Sequence, residues 1–184
     1  MSKTKKLTTC ALLIALSTVL MLLSKLIPSM PWGGSVTLAS MVPLIMLSLM
    51  LGLKWGIFSG VVYALIQMLT GFYPPPTQTI GDFALVVMLD YLLAFGVLGT
   101  AGLFYRILGK KLWAIPLSGG IVTTLRYVFH ILSGILIWGV YAEERQTVLA
   151  YSVLYNGSYM IPEIILTTIV LALLSKFIKQ KSRE

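Results

Sequence analysis

Apolar runs long enough to cross a lipid bilayer follow one another almost without interruption from Leu7 to Ile178, divided only by short polar turns. In hydrocarbon every backbone N–H and C=O must find its partner within the protein, so runs of this kind fold as helices that bundle together. The turn residues divide the chain into an all-α integral membrane bundle of six transmembrane helices, at about residues 7–27, 37–53, 54–71, 83–105, 115–141 and 147–178. They form a single domain over residues 1–184. With 58% hydrophobic and only 11% charged residues the chain is too apolar for a soluble domain of its length. Its net charge of +8 would suggest nucleic acid in a soluble protein, but here the cations gather where the helices end.

The same inventory narrows the chemistry. Cys10 is the only cysteine and His130 the only histidine, and no two carboxylates stand at metal-ligand spacing, so neither a metal centre nor a catalytic set is expected. A phosphate-binding Gly-rich loop with its lysine is also missing, so any ATP dependence must come from partners. We therefore expect no enzyme and no cofactor.

Cations mark the topology. Lys3, Lys5 and Lys6 precede the first helix, Lys54 lies in the second turn, Arg106, Lys110 and Lys111 in the fourth, and Lys176, Lys179, Lys181 and Arg183 close the chain. With six helices these segments share one side, which the positive-inside rule makes cytoplasmic for both termini. The start of the chain could pass for a signal peptide, but its apolar run is too long and reads as a retained helix. Several local features refine the picture. Pro28 to Ser35, with Trp32, has the turn residues of a loop over the outer end, and Pro43 should bend the second helix. Gly56, Gly60 and Ala64, and then Gly96, Gly99 and Gly102, offer smooth packing stripes. Three consecutive prolines stiffen the loop around Pro74, Asp82 can cap the fourth helix, and Pro162 should kink the last.

Polar groups inside apolar segments are costly and are candidates for function. Arg126, His130, Gly134 and Trp138 recur every four residues, so one helical face would carry a cation, an imidazole, a gap and an indole. Tyr127, Ser133 and Tyr141 stand beside them. Asp90 lies two turns inside the fourth helix, where a carboxylate needs a cation or several donors; Arg126 is the obvious protein partner. Tyr151, Tyr155, Asn156, Tyr159 and Glu163 string a second aromatic and polar face along the last helix. These faces converge toward the outer half as a pocket for a flat polar molecule. The alternative is a structural Arg and His satisfied by neighbouring carbonyls.

The motifs that carry these residues resemble a known family. They are Pro-Trp-Gly-Gly-Ser-Val-Thr-Leu (31–38) with Met-Val-Pro (41–43), Leu-Asp-Tyr-Leu-Leu-Ala-Phe (89–95), Leu-Gly-Thr-Ala-Gly-Leu-Phe (98–104), Arg-Tyr-Val-Phe-His-Ile-Leu-Ser-Gly (126–134) with Trp138, and Ala-Tyr-Ser-Val-Leu-Tyr-Asn-Gly (150–157). In this order they are similar to the thiamine-specific substrate-binding subunits of energy-coupling factor vitamin transporters. The resemblance implies a multi-pass protein of the bacterial cell membrane that captures thiamine outside and passes it on when docked on an energising module of one membrane scaffold protein and two ATPases. It implies ligand contacts at Asp90, Tyr91, Arg126, His130, Gly134, Trp138, Tyr151 and Asn156, with Trp32 and Tyr73 as further contacts, and docking through Ala11 and Ala15. Asp90 and Arg126 stand where the family often has Glu and Lys. The alternatives are a subunit for another small heterocyclic vitamin or precursor and, in a different class, a small membrane-embedded enzyme.

Overall fold

The computed structural model describes residues 1–26, 36–77 and 79–182, and among them it is helical with no strand. Six helices follow in order: α1 Lys3–Ser24, α2 Met41–Leu51, α3 Leu53–Gly71, α4 Ile80–Ile107, α5 Ala114–Leu136 and α6 Val148–Lys181. All but α2 are long and apolar enough to cross a membrane. At about 1.5 Å per residue the 11 residues of α2 reach only about half the thickness of a bilayer core. Met41 to Leu49 are all buried, which is where a helix that is apolar all round belongs.

Several local expectations are corrected. The second helix starts at Met41 rather than near residue 37, because Thr37 is drawn elsewhere: its N–H and hydroxyl donate to the buried Glu163 carboxylate at 2.8 and 2.6 Å. Pro43 therefore falls in the first turn of α2, where no intrahelical N–H is needed, and has nothing to break. Thr79, not Asp82, caps α4 by accepting from the Asp82 N–H at 3.1 Å, while the Asp82 carboxylate accepts from the hydroxyls of Thr79 and Thr77.

Close helix crossings set the frame. A β-carbon at Gly56 would strike the Gly99 carbonyl, and one at Gly99 would strike the Gly56 backbone, so α3 and α4 touch main chain to main chain. Further along the same seam a β-carbon at Gly60 would strike Phe95 O and come within 3.1 Å of Gly96 Cα, although one at Gly96 itself would point into open space. The Ser48 hydroxyl, from the buried α2, donates to Gly99 O and accepts from Gly102 N at 2.8 Å. It serves the backbone where α4 tightens to a 3-10 turn over Val97–Thr100.

Candidate functional site

Between α4, α5 and α6, at the end of the bundle away from the chain termini, lies a cavity of about 570 Å³. The last turn of α3 and Tyr73 of the following loop complete its wall. Asp90, Tyr91, Arg126, His130, Gly134, Trp138, Tyr151 and Asn156 all line it, as does Tyr73. Trp32 lies outside the described residues.

Asp90 is the centre of the polar wall. It sits in a π-helical turn of α4, Val87–Leu93, which holds one residue more than an α turn and so changes which side chains share a face. Oδ1 meets His130 Nδ1 at 3.0 Å, while Oδ2 accepts from the Ser133 hydroxyl at 2.6 Å and the Trp138 indole N–H at 3.2 Å. His130 Nε2 accepts from Arg126 Nε at 3.2 Å. That leaves Nδ1 as the ring's donor, so the network assigns a neutral imidazole with its proton toward Asp90.

The expected direct pair of Asp90 with Arg126 is therefore replaced by a relay, with His130 between the two charges. The reason is geometric, because Arg126 and His130 are one turn apart on α5 and Arg126 points its guanidinium across α4 at the Phe95 ring, 4.0 Å from the centroid. Phe95 was not among the sequence candidates. It follows Asp90 by five residues, a spacing that shares a face only because of the π turn.

Trp138 does not belong to the α5 face on which the four-residue spacing puts it. The helix ends at Leu136, Ile137 leaves helical geometry at φ −123°, and Trp138 begins a separate 3-10 turn, Trp138–Tyr141. That break swings the indole over the cavity mouth, where its ring packs against Tyr73 at 5.3 Å and Tyr141 at 6.4 Å between centroids. Tyr151 and Tyr155 stack on each other at 5.7 Å from the opposite wall. Tyr91 secures the loop instead of only facing inward. Its hydroxyl accepts from Tyr73 N at 3.1 Å and lies 3.3 Å from Gly71 O, and its ring stacks on Phe72. Tyr127 faces away and donates to Val153 O on α6.

Gly134 and Asn156 form a seam. The gap expected at Gly134 is filled by Ser152, whose hydroxyl donates to Ile131 O at 2.8 Å and occupies the place of a β-carbon. Asn156 Nδ2 donates to His130 O at 3.2 Å and Ser152 O at 2.9 Å, and Oδ1 accepts from the Tyr159 hydroxyl at 2.6 Å. These bonds fix α6 against the turn of α5 that carries His130. Gly134→Val should therefore destabilise the protein by about 1–3 kcal/mol through overpacking, read as a lower thermal midpoint in detergent. An unchanged midpoint would mean that the seam has slack.

The arrangement offers one carboxylate held by three donors, a guanidinium beyond it and aromatic faces on most other sides. Such a site suits a flat, positively charged heteroaromatic molecule.

The chain is 33% identical over 175 residues to the thiamine transporter ThiT of Bacillus subtilis (strain 168), covering 89% of this chain and 86% of that one. It is 26% identical over 148 residues to the thiamine transporter ThiT of Lacticaseibacillus paracasei, covering 73% and 70%. Its fold matches a solved structure of ThiT from Listeria monocytogenes with a TM-score of 0.75 over 98% of both chains, at 21% identity. The family model described as thiamine transporter protein (Thia_YuaJ) matches residues 7–183. A multi-pass membrane protein with this fold and these relatives, the chain belongs to the thiamine transporter protein family.

Proposed function

We propose that the cavity captures thiamine outside the cell and that the chain is the substrate-binding subunit of an energy-coupling factor transporter. The carrying observation is the Asp90 carboxylate, fixed by His130, Ser133 and Trp138 inside an aromatic enclosure, in a chain of the thiamine transporter family. Thiamine joins a fixed positive charge to two flat heteroaromatic rings. Tyrosine and tryptophan faces attract the charge and stack on the rings, and Asp90 accepts hydrogen bonds from the aminopyrimidine edge. The Asn156 donors are already engaged, so its contribution is to hold His130 and Tyr159 in place.

The orientation follows the cations. Gly52, Arg106, Lys110 and Lys179 line one concavity, so the α2–α3 turn, the α4–α5 turn and the end of α6 share an end of the bundle. The positive-inside rule makes that end cytoplasmic and turns the aromatic cavity outward. Ala11 and Ala15 are exposed on α1, on the flank of the buried stripe of Cys10, Ile14 and Ser17, and α1 contributes nothing to the cavity. An exposed pair of small residues supports docking of a scaffold helix there. ATP hydrolysis then belongs to the two ATPases of the energising module.

The test is fluorescence of the purified chain in detergent. Thiamine should quench the emission of Trp138 saturably, while riboflavin and biotin should not. Equal responses to the three, or none to thiamine, would overturn the ligand assignment. Stacking also sets an expectation for Trp138→Ala. It should weaken thiamine binding by about 1–3 kcal/mol in a folded protein, a magnitude taken from bases stacked on aromatic side chains. Equilibrium dialysis with labelled thiamine checks this, since the variant loses its own reporter; unchanged affinity would make Trp138 only a cover for Asp90.

A further inference from the structure

The end of the bundle opposite the aromatic cavity holds a second concavity, of about 380 Å³, that thiamine binding does not use. Its cations come from three elements: Arg106 from α4, Lys110 from the α4–α5 turn and Lys179 from α6. No carboxylate among the described residues lines it, and none of the three cations forms an ion pair among those residues. The three helices that end here, α2, α4 and α6, each present about half a negative charge in their last carbonyls. That offsets only about half of three full charges, so the groove keeps a positive surplus.

The groove is built, not a chance meeting of long side chains. Arg106 lies across the α2–α3 turn, where a β-carbon on Gly52 would stand 3.2 Å from its Nη2. Lys110 holds a left-handed backbone at φ 54°, unfavourable for a side chain with a β-carbon. Tyr105 secures it there, donating to Lys110 O at 3.0 Å, while Tyr105 O accepts from Lys110 N at 3.0 Å. The half-buried Met50 and Leu51 supply an apolar side, and the exposed Trp113 just beyond the turn suits the level of lipid headgroups.

We propose that this groove binds the phosphate of an anionic phospholipid, with the apolar residues of α2 against the lipid's glycerol and first acyl carbons. Basic pockets between helices at a membrane face hold headgroups in this way. The apolar side and the neighbouring Trp113 favour a lipid over a soluble anion. The assignment is independent of what the aromatic cavity binds.

The experiment is native mass spectrometry of the delipidated protein titrated with phosphatidylglycerol or phosphatidylcholine. One phosphatidylglycerol should bind in preference to phosphatidylcholine. Arg106→Gln/Lys110→Gln/Lys179→Gln should weaken that binding roughly 100-fold, at about fivefold per cation near an anionic surface. Lys110→Gln/Lys179→Gln keeps Arg106 on the turn and should still lose about 25-fold, so the result does not depend on the triple variant folding. Lys3→Gln/Lys5→Gln/Lys6→Gln removes as much charge from the same end and should stay within about twofold. Equal losses in that control, or equal binding of phosphatidylcholine, would overturn the site. Displacement of the lipid by millimolar inorganic phosphate would overturn the lipid and leave a soluble anion as the occupant.

Discussion

Asp90→Asn should cost thiamine affinity on the order of 100-fold or more while the protein remains folded. Truncating one partner of a buried, hydrogen-bonded charge interaction costs about 2–5 kcal/mol, or roughly 30-fold to several thousandfold in Kd. Two effects act together. The amide removes the negative charge that faces a cationic ligand, and its NH2 group must confront at least one of the donors on His130, Ser133 or Trp138. Calorimetric titration of the detergent-purified variant checks the affinity, and its thermal midpoint checks the fold. A Kd within about threefold of the parent, on either side of the charge change, would reduce Asp90 to a structural acceptor. The relay adds a refinement. His130→Gln should be non-additive with Asp90→Asn by about 1 kcal/mol or more, because the two share a bond, whereas Arg126→Gln couples to Asp90 only through the imidazole.

Most of the side chains that the sequence singles out line one cavity, but not always for the geometric reason that their spacing suggests. Arg126, His130 and Gly134 keep their four-residue spacing because α5 is a regular helix as far as Leu136, and apolar periodicity reads such a helix well. Trp138 reaches the cavity by leaving that helix. Little around Ile137 marks the break, since Gly134 and Gly139 bracket it without a proline and the residues between them are all apolar. The π turn at Asp90 is equally silent, because Val87–Leu93 is an ordinary apolar helical sequence. An extra residue in the turn is decided by packing, so Phe95 could not be phased with Asp90 in advance. The short α2 fails for the opposite reason. Apolar composition alone does not show where it begins, which is set by long-range bonds, Thr37 to Glu163 126 residues away and Leu38 N to Ser24, with Ala39 at φ 57° between them and the first turn. The charges show the same limit. Composition makes Arg126 the obvious partner for Asp90, but the choice between a direct pair and a relay rests on side-chain direction.

Ala11→Trp and Ala15→Trp should abolish thiamine uptake in cells that contain the energising module. Neither should change thiamine binding by the isolated subunit by more than about twofold, which is the scatter expected of surface substitutions. The separation rests on α1 having two faces. Cys10, Ile14, Ser17 and Met21 are buried against the bundle, while Ala11 and Ala15 are exposed one turn apart, about a quarter to a third of a turn round the helix from them. An indole there meets no core residue of the subunit, and no residue of α1 lines the aromatic cavity. It would instead hold a docked helix away, because small-xxx-small pairs act by letting two backbones approach. Exposure to lipid alone gives the opposite expectation, since a tryptophan facing acyl chains is tolerated and uptake would persist. Loss of binding together with uptake would place the pair in the internal packing of the subunit. Uptake assays in cells and titrations on purified protein, run on the same two variants, therefore separate a coupling surface from a lipid face and from a core contact.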